Sequence, residues 1–277
     1  MSGRTWIITG CSTGIGRAIA EHVVASGENV AVTARKPADV ADIVAGRENA
    51  LALALDVADP GQVKAAVEAA RARFGRIDVL VNNAGYGYVA SIEEGDEAEV
   101  KAMFDVNLFG AIRMAKAVLP EMRARRSGHI INISSLAGRI ANPATGYYSM
   151  SKHALEAMGQ ALAREVAELG VRVTSIAAGM FRTDFSGRSL KSGDAGIADY
   201  TDGVHARMAL VRSVDGRQQG DPAQLAEAVV TVADMADPPI QLVLGPDAYA
   251  AIKARMTETL ASMEEHRALT HSTDFVA

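Results

Sequence analysis

Short apolar runs alternate along this chain with longer stretches in which apolar residues recur every three or four positions. The short runs consist mainly of Val, Ile, Leu and Ala, as expected for strands that are buried on both faces. The intervening stretches, of about a dozen residues or more, have the spacing of helices that cover such strands. The predicted strands are Arg4–Thr9, Asn29–Ala34, Ala50–Leu55, Ile77–Val81, His129–Ser134, Val171–Ala177 and Ile240–Leu244. This order predicts an α/β fold, a doubly wound parallel seven-stranded sheet with helices on both faces.

Individual residues indicate where some helices begin or break. Asp59 can cap the third helix, Pro60 suits its first position, and Gln62 would complete a capping box. Pro120, near the end of a later helical run, should kink or divide that helix because proline removes one backbone hydrogen bond.

The chain is predicted to be a single domain. No stretch rich in Pro, Gly or Ser separates one part from another, and no repeat or low-complexity tract occurs. We expect residues 1–245 to form the main domain and residues 246–277 a helical extension of it. That extension should contain an amphipathic helix over 246–266 and a tail that is mobile up to Ala277. Residues 181–221 lose regular periodicity, which predicts a long irregular segment.

Composition and charge narrow the classes of function. The net charge of −5 offers no basic surface for nucleic acid or an anionic membrane, and no apolar run approaches the roughly 20 residues that span a bilayer. The N-terminal segment lacks the apolar core of a signal peptide. The single cysteine, Cys11, excludes an internal disulfide, and the six histidines show no metal-ligand spacing, so no metal is expected. These features predict a soluble, cytoplasmic protein.

The first predicted strand leads into a glycine-rich turn. Gly10, Gly14 and Gly16 lie between this strand and a helical pattern, a context in which backbone N–H groups and a helix N-terminus face a phosphate. Gly10 would permit the tight turn, Gly14 the approach of a pyrophosphate, and Gly16 close packing of helix against strand. The spacing differs from the more familiar G-x-G-x-x-G, so a plain turn is the alternative at this point.

A candidate catalytic pair lies farther along the chain. Tyr148 and Lys152 are four residues apart, which places both side chains on one face of a helix, and Ser135 ends a strand-like run before them. A nearby ammonium favours phenolate over phenol, so Lys152 should lower the pKa of Tyr148 and suit it to acid–base catalysis. Tyr147 competes for this role, but its five-residue spacing turns it about 140° away from Lys152. Ser134 likewise competes with Ser135.

Together these segments resemble the short-chain dehydrogenase/reductase family over nearly the whole chain. The motifs of that family are matched, in order, by Thr9–Gly16, Asp56-Val57, Asn82–Gly85, Asn107, Ser135, and Tyr148 with Lys152. The resemblance places the serine thirteen residues before the tyrosine, which is Ser135. It implies a single-domain Rossmann-type fold, a nicotinamide cofactor, an oxidoreductase activity and a homodimer or homotetramer.

The resemblance also assigns cofactor contacts at matching positions. The residues expected to contact the cofactor are Gly10, Ser12, Gly14, Ile15, Gly16, Arg35, Asp56, Val57, Asn83, Gly85, Tyr148, Lys152, Gly179 and Thr183. Asp56 and Val57 would border the adenine, Asn83 its ribose, and Lys152 the nicotinamide ribose. One position departs from the family pattern, because Ala178 stands where the family usually has proline, which frees the backbone slightly.

The end of the second predicted strand bears on which dinucleotide is used. NAD enzymes of the family usually carry Asp at the position of Ala34, where a carboxylate binds the adenosine ribose, whereas an arginine nearby accommodates the 2′-phosphate of NADP. Arg35 follows directly, and Ser12 could add a hydroxyl. We therefore expect NADP(H), with NAD(H) as the alternative if Arg35 is only a solvated charge beside Lys36.

The resemblance gives each matching catalytic residue a chemical role. Tyr148 would donate a proton to the alkoxide that forms as hydride reaches a carbonyl carbon, and Ser135 would hydrogen-bond the same oxygen. Lys152 would shift the protonation equilibrium of Tyr148 and hold the ribose. Asn107, an unfavourable residue inside a helix, would anchor a water that links Lys152 to solvent.

The substrate is predicted only by class. The candidate substrate contacts are Leu136, Tyr147, Met180 and Phe185. Their apolar and aromatic character favours a hydrophobic ketone or secondary alcohol, while Arg182 and Arg188 keep an acidic substrate open. Residues 181–221 would form a mobile lid over the nicotinamide, because their glycines give the backbone freedom to close. The chain resembles a bacterial subgroup close to the hydroxysteroid and retinol dehydrogenases.

Other functions stay open on the sequence. The same chemistry could serve an NAD-dependent alcohol or hydroxysteroid dehydrogenase. A cofactor-binding sensor that has lost activity is disfavoured, because Asn107, Ser135, Tyr148 and Lys152 are all present. Epimerisation or dehydration of a nucleotide sugar also uses Tyr and Lys on this fold, but the chain length, the glycine spacing and the NNAG segment favour simple oxidoreduction.

Overall fold

The computed structural model describes residues 3–275 and confirms the predicted parallel sheet. The strands are β1 (Thr5–Ile8), β2 (Asn29–Ala34), β3 (Ala50–Ala54), β4 (Val79–Asn82), β5 (Gly87–Val89), β6 (Gly128–Ile133), β7 (Val171–Ala178), β8 (Leu190–Ser192) and β9 (Gln241–Leu244). Seven of them form one sheet in the order β3-β2-β1-β4-β6-β7-β9, and all neighbours in it are parallel. The bounds of each of these seven strands lie within two residues of the predicted ones. The short strands β5 and β8, which pair separately, were not predicted.

Helices cover both faces of the sheet, as the sequence pattern predicts. The α-helices are α1 (Gly14–Ala25), α2 (Ala41–Val44), α3 (Pro60–Phe74), α4 (Glu97–Phe104), α5 (Ala111–Ala124), α6 (Gly146–Val166), α7 (Ala206–Ser213), α8 (Pro222–Asp234), α9 (Pro246–Glu265) and α10 (Arg267–His271). A π-helical stretch, Asp105–Gly110, joins α4 to α5 without a break.

Two apolar cores hold these layers together, one on each side of the sheet. Trp6 and Ile8 of β1 lie in the core that contains α1 and α8 residues, such as Leu225. Ile7, between them in sequence, lies in the opposite core with α3, α5 and α6 residues such as Met114. Successive side chains of a strand point to opposite faces, so a strand that is apolar at every position must be buried on both.

The carboxyl ends of the parallel strands meet at one edge of the sheet and bring distant segments together. The glycine-rich turn follows β1, Arg35 follows β2, and Asn83 follows β4. Ser134 and Ser135 follow β6, and Gly179 follows β7. In open α/β sheets, ligands bind outside these carboxyl ends, beside the point where strand order reverses. Here that point lies between β1 and β4, which are neighbours in the sheet.

The predicted capping of α3 is correct in one part and wrong in another. Asp59 accepts hydrogen bonds from the N–H groups of Gly61 and Gln62, at 2.7 and 3.2 Å. The Gln62 side chain accepts from the N–H of Asp56 at 2.9 Å, so it does not close a capping box on Asp59. The N–H of Asp59 already donates to the carbonyl of Asp56 at 3.0 Å, which leaves Gln62 to satisfy the preceding turn.

Pro120 does not divide the helix that contains it. The helix α5 continues on both sides of Pro120 and ends four residues later. Proline lacks the N–H that would bond the carbonyl of Lys116, which weakens a helix locally. Met114, Val118 and Met122 are all buried in the same core, and this packing holds α5 together across the proline.

The C-terminal extension is helical, as predicted. Ala248 and Ile252 of α9 pack against Ala177 of β7 and anchor the start of this helix. Every residue from Lys253 to Phe275 is exposed. The predicted mobility of the tail up to Ala277 falls partly outside the described residues and stays a prediction.

Candidate active site

A cleft of about 370 Å³ opens at the carboxyl edge of the sheet and gathers most of the predicted cofactor residues. The predicted residues that line it are Gly10, Ser12, Gly14, Ile15, Arg35, Asp56, Val57, Asn83, Gly85, Tyr148, Lys152, Thr183 and Phe185. The predicted residues that do not line it are Gly16, Asn107, Ser135, Leu136, Tyr147, Gly179 and Met180. The cleft also contains residues that the sequence did not place there, among them Asp184, Ser189 and Lys191.

The glycine-rich turn is built to receive an anion. Gly10 and Gly14 have φ angles of +72° and +64°, which residues with a side chain rarely adopt. A Cβ at Gly10 would also lie only 2.9 Å from the Cα of Ala84. No side chain caps the N-terminus of α1, where Thr13 is the capping residue, so its first N–H groups stay available to a phosphate.

The close approach at Gly16 differs from the predicted one. A Cβ at Gly16 would lie 2.2 Å from Nδ2 of Asn83 and 2.5 Å from the carbonyl oxygen of Gly10. The Asn83 amide donates to the carbonyls of Thr9 and Gly10, at 2.8 and 3.0 Å. Gly16 therefore makes room for the asparagine that fastens the turn to the end of β4, and not chiefly for packing of helix against strand.

Three cations lie along the rim of the cleft. Arg35 is exposed at the end of β2, and Arg188 and Lys191 line the cleft from the segment that contains β8. The Glu99 carboxylate, 2.5 Å from Lys191, raises the pKa of Lys191, while the positive charge of Arg35 opposes that rise. Lys191 is paired with Glu99, and Arg188 lies 3.9 Å from Asp184. Arg35 forms no salt bridge with the described residues, so it is the cation of this rim that best suits a phosphate.

Tyr148 and Lys152 both face the cleft from α6, as predicted. Both residues are buried, and Nζ of Lys152 lies 5.9 Å from the centre of the Tyr148 ring. Nζ of Lys152 also donates to the carbonyl oxygen of Ile133, at the end of β6, at 2.9 Å. Phe185 packs on the other side of Tyr148, with ring centres 5.3 Å apart. The phenol is held between a cation and an aromatic ring.

The pKa of Tyr148 moves in the direction opposite to the predicted one. Burial raises this pKa to about 12, and a hydrogen bond with Ser135 opposes the rise. The expected lowering by Lys152 is absent from this structure, because removing the phenol from water disfavours phenolate more than the neighbouring groups favour it. The Tyr148 oxygen therefore holds its proton at neutral pH, as a proton donor must.

Ser135 and Ser134 occupy different positions in spite of being neighbours. The hydroxyl of Ser135 interacts with Tyr148 and accepts from the N–H of Ala137 at 3.1 Å. Ser134 lines the cleft, but its buried hydroxyl has no hydrogen-bond partner within residues 3–275, and a Cβ on Gly138 would lie 2.6 Å from it. The contact with the phenol favours Ser135 for the predicted role, which stays a prediction.

Asn107 lies in the π-helical stretch, and its side chain is already engaged by protein atoms. Its Nδ2 donates to the carbonyl of Tyr86 at 2.9 Å and to the hydroxyl of Ser151 at 3.1 Å. Its Oδ1 accepts from the N–H of Tyr86 at 3.0 Å. The amide has used both of its donors, so the predicted water anchor could rely only on remaining acceptor capacity. The contacts show Asn107 fixing the chain next to Gly85, where a Cβ would approach its Oδ1 at 3.0 Å.

Three of the four predicted substrate residues do not line this cleft, and their contact with substrate stays a prediction. Tyr147 donates its hydroxyl to the carbonyl of Ile92 at 2.7 Å and packs against Tyr88. Leu136 packs with the residues beneath the start of α9. Met180 is half exposed, and its N–H donates to Asp247. Of the four, Phe185 is the one that lines the cleft.

Gly179 and Thr183 connect the end of β7 to the cleft. A Cβ at Gly179 would lie 2.2 Å from Oδ1 of Asp247, so glycine is needed where α9 approaches. Thr183 lines the cleft and would be 3.3 Å from a Cβ on Gly14. Ala178, where the family usually has proline, is the last residue of β7 and pairs with Leu244 of β9, so sheet pairing fixes its position.

The segment 181–221 is more ordered than the sequence predicts. It contains β8 and α7, and β8 pairs with β5 over three residues. Glu94 fastens it by accepting from the N–H groups of Gly196 and Ile197, at 2.9 and 2.8 Å, and from His205 at 2.9 Å. These contacts, led by the Ile197 N–H, lower the pKa of Glu94 to about 2. This order comes from side-chain contacts between residues far apart in sequence. The periodicity of the segment does not predict such contacts.

The lid function of this segment stays a prediction. Few residues of 181–221 are buried, and besides the short strand pair and the contacts at Glu94 the segment packs mainly through Leu190 and Met208, so we expect it to open locally in the free protein. Its amide hydrogen exchange should be fast without ligand and slow markedly with NADPH and substrate. Strong protection before ligand is added would show a fixed wall, and exchange measured by mass spectrometry distinguishes the two results.

Neither a metal site nor a membrane-spanning helix is found among the described residues. Among residues 3–275, no group of His, Cys, Asp or Glu side chains has the arrangement of a metal site. In the same part of the chain, no helix combines the length and the apolar character that crossing a membrane requires.

The family assignment follows from this fold and from comparison with known sequences. The family described as short chain dehydrogenase matches residues 4–192 of the chain. The protein therefore belongs to the short-chain dehydrogenase/reductase family and is an oxidoreductase of that family.

Individual relatives cover nearly the whole chain. An oxidoreductase of Botryotinia fuckeliana, BOA17, is 38% identical over 264 residues, which are 95% of this chain and 96% of the relative. The crystal structure of a short-chain dehydrogenase from Streptomyces avermitilis is 37% identical, covers 99% of both chains and superposes with a TM-score of 0.92. A metagenomic short-chain oxidoreductase in complex with NADP is 28% identical, covers 88% of this chain and 97% of its own, and has a TM-score of 0.69.

Proposed function

We propose that the protein is an NADP-dependent oxidoreductase that transfers hydride between the nicotinamide and a hydrophobic ketone or secondary alcohol. The observation that carries this proposal is the buried Tyr148–Lys152 pair at the floor of a cleft whose rim carries Arg35. The chemistry falls in the class of dehydrogenases that act on CH–OH groups.

Cofactor preference is inferred from the end of β2. Ala34 leaves no carboxylate at the position that would bind the ribose hydroxyls of NAD, and Arg35 extends into the cleft next to it. Lys191 and Arg188 add positive charge on the same rim. A related structure that contains NADP is consistent with this preference.

The proposed mechanism uses a phenol that keeps its proton until the alkoxide forms. When bound, the nicotinamide supplies the hydride for reduction or accepts it for oxidation. Tyr148, whose pKa lies at about 12, gives its proton to the oxygen on which negative charge develops. Ser135 hydrogen-bonds that oxygen, and the Lys152 ammonium stabilises the phenolate that remains. Asn107 holds the backbone next to Lys152 in place.

The class of substrate is inferred from the walls near Tyr148. Phe185 packs directly on the phenol ring, and Tyr86 lies in the same apolar cluster. Both line the cleft. A carbonyl group flanked by apolar carbon fits such walls, since desolvation there costs an apolar group nothing.

A redox screen tests the proposed function. Ketones and secondary alcohols of increasing apolar size are mixed with NADPH or NADP, and absorbance of the nicotinamide is followed. We expect turnover with apolar substrates, faster with NADPH than with NADH. Tyr148→Phe protein serves as the background control. The proposal is contradicted if no ketone or alcohol reacts although the intact protein binds NADPH, or if NADH is preferred.

We also propose that the protein is a homodimer or homotetramer in which α9 packs against α9 of a second copy. Tyr249, Met256, Leu260 and Met263 share one face of this helix, and each is about 60% exposed. Solitary exposed apolar residues are ordinary, but a row of them along one helix indicates a contact surface. The polar residues beside the row carry both signs of charge, which disfavours an anionic membrane as the occupant.

Charge supports an antiparallel pair of these helices. Lys253 and Glu264 flank the apolar row on the same side, and antiparallel packing sets Lys253 of one copy against Glu264 of the other.

Light scattering should find the intact protein oligomeric and Leu260→Glu protein in a smaller state. Leu210→Glu, at an exposed residue of α7, is the matched control. A monomeric intact protein, or equal effects of both substitutions, would contradict this assembly.

A further inference from the structure

Glu156 is a buried carboxylate in α6 that the proposed mechanism does not use. The residue is 2% exposed. Its Oε2 accepts from a guanidinium N–H of Arg139 at 3.0 Å and from Nε2 of Gln241 at 3.1 Å. Its Oε1 is buried with no hydrogen-bond partner among the described residues. An ionised carboxylate is costly to bury with an oxygen unsatisfied, so its presence calls for a compensating interaction.

Arg139 supplies one such interaction through Oε2, and a second cation, Lys152, lies one helical turn earlier on α6. Tyr148, Lys152 and Glu156 are spaced by four residues each, so they form one row along α6. The row begins at the cleft, and Glu156 lies behind Lys152, outside the cleft lining. A Cβ on Gly138 would lie 3.1 Å from both Cγ of Glu156 and the carbonyl oxygen of Lys152. Glycine at this position lets the chain after β6 pack closely against α6 beside Lys152 and Glu156.

Lys152 itself has few groups that favour its charge. From β6 it meets the carbonyl oxygen of Ile133, on its own helix the ring of Tyr148, and from the loop after β4 the backbone of Gly85. None of these is an anion in the free protein. Burial lowers the pKa of Lys152 to about 8, and the charge of Glu156 is what opposes this among the residues that the structure describes.

We infer that Glu156 is a positioning residue for the reductase chemistry, whose carboxylate keeps Lys152 protonated beneath Tyr148. The inference rests on the proposed function, since it concerns the same pair of residues. Arg139 holds the carboxylate in place through Oε2, and its own charge is partly solvated because its side chain is 20% exposed. Along α6, Tyr148 is then the acid, Lys152 the cation that stabilises the Tyr148 phenolate, and Glu156 the anion that keeps Lys152 charged.

The inference predicts a change in the pH profile. A lysine is charged below its pKa, so activity that needs the ammonium is lost as pH rises through that value. Removing the Glu156 charge lowers the pKa of Lys152 further, and the alkaline limb of the kcat/KM profile moves to lower pH. An opposite charge nearby typically shifts a pKa by 1–3 units. Glu156→Gln should therefore move the limb down by at least about one pH unit.

A matched pair of variants separates this role from a structural one. Glu156→Gln keeps the size and one acceptor oxygen, which can still face Arg139 and Gln241, but removes the charge. Arg139→Gln breaks the same ion pair but leaves the carboxylate, so its alkaline limb should stay in place or move to higher pH. If Glu156 serves only to hold the fold, both variants lose thermal stability and neither moves the limb, which would overturn the inference.

The double variant Glu156→Gln/Arg139→Gln covers the case in which the single change does not fold. It removes both charges, so no unpaired guanidinium is left behind, and its limb should also move to lower pH. A limb equal to that of the unmodified protein would overturn the inference.

A second readout needs no turnover. The Cε resonance of Lys152 in protein labelled with ¹³C-lysine, assigned with Lys152→Arg, reports its protonation directly. It should titrate at lower pH in Glu156→Gln than in the unmodified protein, and an equal midpoint in both would refute the inference. Titration as expected in a protein that reduces no ketone would instead leave the charge relation standing and count against the proposed function alone.

Discussion

Replacing Tyr148 with Phe is expected to lower kcat by at least about 10²-fold, the lower end of what general acid–base catalysis contributes. The substitution removes the hydroxyl and keeps the ring, which still packs against Phe185 and beside Lys152. Binding of NADPH should therefore change little. Steady-state kinetics measure kcat with the ketone that reacts fastest, and NADPH fluorescence measures binding.

Tyr147→Phe is the matched control, because it removes the same atom from the adjacent residue. The hydroxyl of Tyr147 donates to the carbonyl of Ile92 at 2.7 Å, away from the cleft, so most turnover should be retained. A near-normal kcat in Tyr148→Phe together with a large loss in Tyr147→Phe would show that the wrong tyrosine has been assigned to proton transfer.

Replacing Arg35 with Ala is expected to weaken NADPH binding by roughly 10- to 150-fold. A hydrogen bond to a charged group contributes about 1.5–3 kcal/mol, and this free energy corresponds to that range of affinity. NADH has no 2′-phosphate, so its affinity should hardly change. Titration of both dinucleotides against the unmodified protein and the variant measures the difference.

Lys36 offers a control of equal charge at the next position. It is exposed like Arg35 but does not line the cleft, so Lys36→Ala should leave the affinity for both dinucleotides nearly unchanged. Equal losses of NADPH and NADH affinity in Arg35→Ala would mean that Arg35 supports the fold of the cleft without selecting the phosphate. A comparable loss in Lys36→Ala would point to general positive charge, which added salt should screen.

The sequence predicted the sheet well because the pattern of buried strands is local. In β1, Trp6, Ile7 and Ile8 are consecutive apolar residues, and both faces of that strand are covered by helices. Strand pairing over three residues is too short to leave such a pattern. β5 and β8 contain Gly87 and Lys191, and they were found only in the structure.

Most residues that line the cleft could also be predicted from the sequence, because they lie directly after strands or at the starts of helices. Lys191 was not placed at the rim, since it reaches the rim through a segment without periodicity. Tyr147, Leu136 and Met180 were predicted to contact substrate from their apolar character. In the structure these residues pack against other apolar side chains or hydrogen-bond to neighbouring groups. Apolar character alone does not distinguish such structural contacts from contacts with substrate.

Spacing and residue type predict the kind of protein: a parallel α/β sheet, a glycine-rich turn before the first helix, and a Tyr–Lys pair one turn apart on a later helix. A single strand or helix carries each of these features. The electrostatics of the site, by contrast, follow from tertiary packing. Spacing suggested that Lys152 lowers the pKa of Tyr148, whereas burial raises it to about 12 and lowers that of Lys152 to about 8. Burial depends on everything packed around a group, including Glu156 and Arg139, so no local pattern reports it.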